Sequence, residues 1–442
     1  MHGTAADEHF EQEVREHYRY NFVVHVVEGA LAMFGFGCAA VDTVLPAYLS
    51  LLGVSNFLIA LAQHLFNTSW TISMLFFAYL VQRHRTRKWP TVWYGLLVRV
   101  MLVVWGVTAL AATPEQPLVG IVGVYGGLLL MMASAGPSEL CWTDLMSRII
   151  PQERRGWFMG VRHVVVVLAG LAGAWVVFFL IGPADQAQPN QFGVPFLIGA
   201  AAFMVSLPFV AITREPVHPD EPPRVRGYWT YLRQAYGLLQ RDRVFRRYVV
   251  VRMALGVTGL YGSSLLAAYA LGDFGISART VTGPFTTAVV VAGMVSAPLF
   301  GWLGDRRGYR LVFCIAVACG AAFSLVGLSL PLWSQPVYGF CLCYALAGLA
   351  GTAGFIAAFN MTFEFADVHS RSLYIAVVAT LSSVVVVVVG GVGGKLVDCF
   401  GHGPLLAASA VVNLWAGLMV VWLLPEPRRL VPAQIATHVE RV

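Results

Sequence analysis

Long apolar runs separated by short polar breaks set the pattern of this chain. They fall at about 22–51, 57–81, 89–112, 117–149, 157–182 and 194–212. A polar segment, Thr213–Arg247, interrupts them. Six more follow at about 248–272, 281–303, 309–330, 336–365, 371–397 and 404–424. Each run is near or above the roughly 20 residues a helix needs to cross a bilayer. The pattern predicts an all-α integral membrane protein with twelve transmembrane helices, arranged as two six-helix bundles. The expected divisions are an N-terminal segment (1–20), a first bundle (21–213), a linker (214–247), a second bundle (248–424) and a tail (425–442).

The polar stretches refine this layout. Met1–Arg19 is acidic and lacks the basic-then-apolar build of a cleaved signal. Pro216, Pro219, Pro222 and Pro223 open the middle segment and cannot continue a helix. Tyr228–Arg247 then carries apolar residues at helical spacing, with Arg233, Arg241 and Arg243 between them, and reads as an amphipathic helix on the inner membrane face. Arginines gather after the second span (Arg83, Arg85, Arg87), after the fourth (Arg148, Arg154, Arg155), in the middle loop and after the last span. The alternate loops carry none except Arg279. Basic loops stay inside, so both termini are expected in the cytoplasm, at the inner membrane.

Composition supports a lipid-dissolved chain. Of 442 residues 58% are hydrophobic and 12% charged, about half the charged share of a soluble domain. The net charge of +6 comes from short loop arginines and does not suggest nucleic acid. Seven cysteines, odd in number and set in or beside apolar runs, read as small core residues. No metal, nucleotide or cofactor motif is present, and no nucleophile–base–acid set suggests an enzyme.

The halves also repeat. Leu52-Gly53-Val54-Ser55 matches Phe274-Gly275-Ile276-Ser277, and the loop at residues 80–87 matches 303–310 in position. The latter copy, Gly301-Trp302-Leu303-Gly304-Asp305-Arg306-Arg307-Gly308-Tyr309-Arg310, closely resembles the loop signature of the major facilitator superfamily of secondary transporters. The resemblance covers the chain after its first twenty residues or so. It implies a substrate site between the halves near the bilayer midplane. It also implies a latch in which Asp305 and Arg306, on a loop shaped by Gly301, Gly308 and Arg310, meet Glu364 and Arg371. The first-half copy departs from the pattern: Gln82 stands at the acid, Arg85 at the second glycine, and Arg148 where the second half has Glu364. The fifth span lacks the glycine-proline signature of the family's proton-exchanging drug exporters.

Charges within the spans are the candidate chemistry, since ionisable groups in lipid mark pathways or relays by default. Arg99 and Glu139 are expected at one depth and within reach of each other. Asp144 and Arg162 share a shallower level. Glu28 and Arg252 lie shallow on spans one and seven. Asp42, with no basic residue at its level, is the candidate proton carrier. Each pair also has a bracing reading, in which acid and base only neutralise one another. His64, Asn67, Ser134, Ser138, Trp142, Tyr261 and Asn360 are candidate lining groups, or else ordinary interhelical hydrogen-bonding residues. Gly390-Gly391-Val392-Gly393-Gly394 reads as a close-packing surface. The expected function is transport of a small organic solute by alternating access, coupled to protons, by a monomer without cofactors. The alternatives are a lipid or lysolipid flippase on the same fold and a transport-inactive sensor or assembly factor.

Overall fold

The computed structural model describes the backbone of residues 5–74, 77, 86–182, 187–216, 228–365 and 371–424; side chains are not described at 5–9, 152, 228, 230–232, 363–365 and 371–372. Eleven helical segments among the described residues, Arg243–Gly272 counted as one, are long and apolar enough to cross a membrane. The run at 57–81 begins as helix Asn56–Ile72 and continues into residues mostly outside the description, so the twelve-span count is consistent. No strand occurs among the described residues. The chain divides into two compact units.

Unit 1 comprises Met1–Gly53, Leu65–Arg226 and Ser277–Gly283. Its helices are α1 (Ala5–Gly37), α2 (Val44–Leu51), the later part of α3 (Asn56–Ile72), α4 (Lys88–Ala111), α5 (Pro117–Ile149), α6 (Arg155–Leu180) and α7 (Gly193–Ala211). The helix α1 packs on α6 and α7, and α4 packs on α5 and α7. Close approach of α1 and α6 depends on missing side chains. A Cβ at Gly37 would overlap the backbone of Gly170, and one at Gly173 would overlap that of Phe34. The first span is not continuous: between α1 and α2 the chain turns at Cys38–Thr43.

Unit 2 comprises Val54–His64, Gly227–Ile276 and Pro284–Val442. Its helices are α8 (Tyr228–Arg241), α9 (Arg243–Val257), α10 (Ser263–Gly272), α11 (Thr286–Arg307), α12 (Tyr309–Ser329), α13 (Pro336–Phe365), α14 (Arg371–Phe400) and α15 (His402–Leu423). The helix expected over Tyr228–Arg247 is divided at Asp242: its first part is α8, on which Trp229 and Tyr236 are exposed, and Arg243 onward belongs to α9. Asp242 ends α8 and caps α9, accepting from the backbone N–H groups of Val244 and Phe245. This matches the general preference for a carboxylate at a helix start. The seventh span also breaks, since α9 gives way to a single 3-10 turn at Thr258–Leu260 before α10 begins. The glycine run of α14 packs as expected. A Cβ at Gly390 would strike the His64 ring, and one at Gly393 the carbonyl of Leu260.

The internal repeat is visible in backbone geometry. Gly53 and Gly275, paired by their sequence neighbours, both take a left-handed conformation, at φ 69° and 62°. Gly308 of the signature loop does so too, at φ 93°. Only glycine adopts that conformation without steric cost, and it lets α11 turn directly into α12.

Candidate functional site

The buried charges of unit 1 centre on Glu28. Its carboxylate lies 3.4 Å from Arg99 and 3.4 Å from Arg162. The expected partners differ from those observed. Arg99 pairs with Glu28, not Glu139. It also donates to the carbonyls of Phe203 (2.7 Å) and Gly95 (2.9 Å) and to the Ser206 hydroxyl (2.6 Å). Its guanidinium lies over the Phe203 ring. The physical reason is local: α1 and α7 surround Arg99 and together saturate its donors. Arg162 pairs with Glu28 rather than Asp144, donates to the His25 carbonyl and lies 4.5 Å from the Trp142 ring centre.

Glu139 is half-buried and accepts from Thr143 at 3.5 Å. Arg162 and Glu28 act on it electrostatically. No arginine lies within ion-pair distance of it among the described residues. The group therefore contains two acids and two bases, with one acid joined to both bases.

Asp144 belongs to a second group. It binds Arg87 in a short contact and Arg148 at 3.3 Å. Glu215 joins them: it accepts from the backbone N–H groups of Arg87 (2.7 Å) and Lys88 (2.9 Å), and lies 3.9 Å from Arg148. A carboxylate at the start of α4 faces the positive end of that helix. From sequence Arg87 is read only as an inside-loop charge, and Glu215 is not singled out. The two are 128 residues apart, and no local motif joins them. Asp398 caps α3 in the same way, through the N–H groups of Asn56 and Phe57.

Asp42 lies half-buried in the turn between α1 and α2 and is not without a partner. The polar patch of α3 is spent largely on its own helix. Ser69 and Thr68 donate to the Leu65 carbonyl, a common way for hydroxyls to be satisfied within a helix. Asn67 is exposed. His64 is packed against Gly390 and hydrogen-bonds the Gly259 backbone. Asn360 donates to the Ile356 carbonyl.

Unit 2 holds a cavity of about 370 Å³. The break in span seven forms one wall: Thr258, Gly259, Tyr261, Gly262 and Ser263 all line it. Irregular backbone at membrane depth is tolerated where it faces a cavity or is buried in protein. Here side chains also satisfy it. Gln63 accepts from the Ser264 N–H and donates to the Ser263 hydroxyl, and Tyr344 donates to the Ser263 carbonyl. Tyr261 hydrogen-bonds His402 Nδ1 at 2.8 Å, and Tyr269 stacks on that imidazole. Arg252 lines the cavity six residues before the break, over the face of Phe313.

In the signature loop, Asp305 accepts from Tyr309 at 2.7 Å. Arg306 lies over Trp302, Arg310 contacts the Val421 carbonyl, and Gly301 faces open space. The side chains of Glu364 and Arg371 lie outside the described residues, so the expected four-residue latch is not on view.

Comparison with known proteins fits this geometry. Residues 253–440 match the family model of the Major Facilitator Superfamily. A gallate transporter of Pseudomonas putida is 28% identical over 182 residues, which is 41% of this chain and 38% of that protein. The match thus spans well under half of that curated relative. Among solved structures, the nucleoside transporter NupG superposes with a TM-score of 0.72 at 13% identity, over 92% of this chain and 100% of its own. A POT family transporter in complex with 5-aminolevulinic acid gives 0.70 at 13%, over 92% and 96%. A D-xylose-proton symporter gives 0.67 at 15%, over 93% and 99%. At such identities the likeness is one of fold. The fold likeness thus covers nearly the whole chain, while the match to the family model of the Major Facilitator Superfamily covers its second half, where the signature loop lies.

Proposed function

We propose that the protein is a secondary transporter that moves a small organic solute across the cytoplasmic membrane by alternating access, with both termini in the cytoplasm and protons as the coupling ion. The observation that carries this reading is the broken seventh span lining a cavity of about 370 Å³. Discontinuous membrane helices recur at the substrate sites of secondary transporters, and the volume suits a small organic molecule. The match to a transporter over 182 residues supports the same reading. Proton coupling rests on Glu139, whose carboxylate sits beside the Glu28 group with one long hydrogen bond. A proton arriving there would change the charge of a group otherwise balanced between two acids and two arginines.

The test is reconstitution of the full chain in liposomes with an imposed proton gradient. Uptake would be followed for radiolabelled sugars, nucleosides, amino acids and organic acids, and for a fluorescent lysolipid. Gradient-driven accumulation of at least one water-soluble solute, lost on adding a protonophore and uncoupled in Glu139→Gln, is the expected result. Movement of the lysolipid alone would overturn the solute reading. Full gradient dependence in Glu139→Gln would remove that residue from the coupling.

A further inference from the structure

The arginines of the two units are treated differently. Arg99 and Arg162 share a buried carboxylate, and Arg87 and Arg148 share another acid. Arg252 in span seven has no ion-pair partner among the described residues. Its Nε is buried and makes no hydrogen bond. The hydroxyl of Ser382, on α14, is likewise buried and without a partner. Both residues line the same cavity. The carbonyl of Ser382 lies 3.4 Å from where a Cβ on Gly256 would stand, and Gly256 is one helical turn beyond Arg252. Two orphaned polar groups on neighbouring helices thus share one space. A buried donor left unsatisfied is costly, and a cation in a membrane span more so.

We propose that Arg252 and Ser382 hold the anionic end of the solute, and that this solute is a small monocarboxylate with a compact apolar body. The inference rests on the transporter reading above and names its substrate class. The guanidinium fork matches a carboxylate in bidentate geometry, and Ser382 supplies a further donor. Among the described residues Arg252 is the only charged one lining the cavity, so a single negative charge fits better than a phosphate dianion. Phe313, Leu255, Val317 and Ala350 give the apolar wall, while Thr258 and Asn413 offer polar contacts at its edge.

The experiment uses the purified full chain in detergent and measures binding of benzoate, benzamide and phenyl phosphate by calorimetry. These three keep the ring and change only the head group. Benzoate is expected to bind, and benzamide and phenyl phosphate to bind at least about tenfold more weakly. Removing a charge-assisted contact should weaken benzoate by roughly 10–100-fold in Arg252→Gln, with Arg252→Lys intermediate because it keeps charge but not the fork. Ser382→Ala, a change of one hydroxyl, gives a second reading if Arg252→Gln does not fold; it should lose a few-fold in benzoate affinity. Equal binding of benzoate and benzamide, or no carboxylate binding at all, overturns the proposal. The two readings fail separately. Uptake of a neutral solute with Arg252→Gln fully active would leave a transporter without this anion site. Benzoate binding lost in Arg252→Gln, with no transport of any solute, would leave the site and remove the transport reading.

Discussion

Glu28 in span one and Arg252 in span seven lie at nearly the same distance before the paired turns at Gly53 and Gly275, yet they stand in opposite electrostatic settings. Glu28 is enclosed by two arginines in unit 1. Arg252 faces a cavity in unit 2 with no acid beside it among the described residues. A duplicated architecture has therefore been used in two ways. In one copy Glu28 closes two arginines on itself. The other leaves a donor pair open to whatever enters. Buried ion pairs are weak evidence of net stability, but breaking one by removing a single partner is strongly destabilising. An unpartnered buried cation is tolerated only where water or a ligand can reach it. On the proposed reading, the Glu28–arginine pairs brace unit 1, Glu139 beside them carries the proton, and the cavity of unit 2 recognises the solute.

The sharpest way to break this contrast is Glu28→Gln. The amide leaves Arg99, whose side chain is 6% exposed, and Arg162 without their common counter-charge. Loss of about 3–5 kcal/mol in unfolding free energy is expected, the usual cost of stranding a buried charge. It should appear as a clear fall in melting temperature in detergent. Replacing Arg99 by Met in the same background should restore part of the loss, because the stranded charge is then gone. A melting temperature unchanged by Glu28→Gln would mean that the group is not a brace, and the comparison between units would fail.

What sequence could and could not show follows the same line. Span number, the signature loop, the glycine surface of α14 and the repeated glycine turns are local or periodic features, and all are legible in one dimension. Partner choice among the charges is not. Counting along the spans puts Arg99 and Glu139 at one depth, but which face of each helix turns inward depends on packing of α1 and α7 against α4. That packing gave Arg99 to Glu28. The breaks in spans one and seven were hidden within continuous apolar runs, with only Gly259 and Gly262 as a faint signal. Arg87 and Glu215 flank polar segments that look like ordinary loops. Depth can be counted from sequence, whereas azimuth around a helix of low amphipathicity cannot.

A smaller effect is expected at the second charged group of unit 1. Asp144 is 37% exposed at its side chain, while Arg87 is 8% exposed. Asp144→Asn should cost about 1–2 kcal/mol, in the range of a hydrogen bond to a charged group reduced by access to solvent. The loss should shrink as salt is raised, since exposed charge is screened. The Glu28→Gln loss should hold steady under the same salt series. If both variants respond equally to salt, the two groups do not differ in burial as the structure describes.

The smallest change in stability is expected at Asp305→Asn, and here charge and hydrogen bonding can be separated. Asp305 is exposed and accepts from Tyr309 within one turn. Asparagine keeps an acceptor in place, so the melting temperature should move by less than the roughly 1 kcal/mol equivalent of one hydrogen bond. Tyr309→Phe removes that hydrogen bond and leaves the carboxylate charged. If the loop works only as a turn, set by Gly308 and buttressed by Tyr309, the tyrosine variant should slow transport and the asparagine variant should not. If the carboxylate acts as one arm of a charge latch, the order reverses: Asp305→Asn slows transport several-fold while its melting curve is unchanged. We expect the second outcome, because the loop concentrates three arginines around this one acid at a point where Gly308 turns α11 directly into α12. Initial rates of uptake in liposomes for the two variants, each normalised to reconstituted protein, decide between them, and faster loss of transport in Tyr309→Phe would leave the acid with no part in the latch.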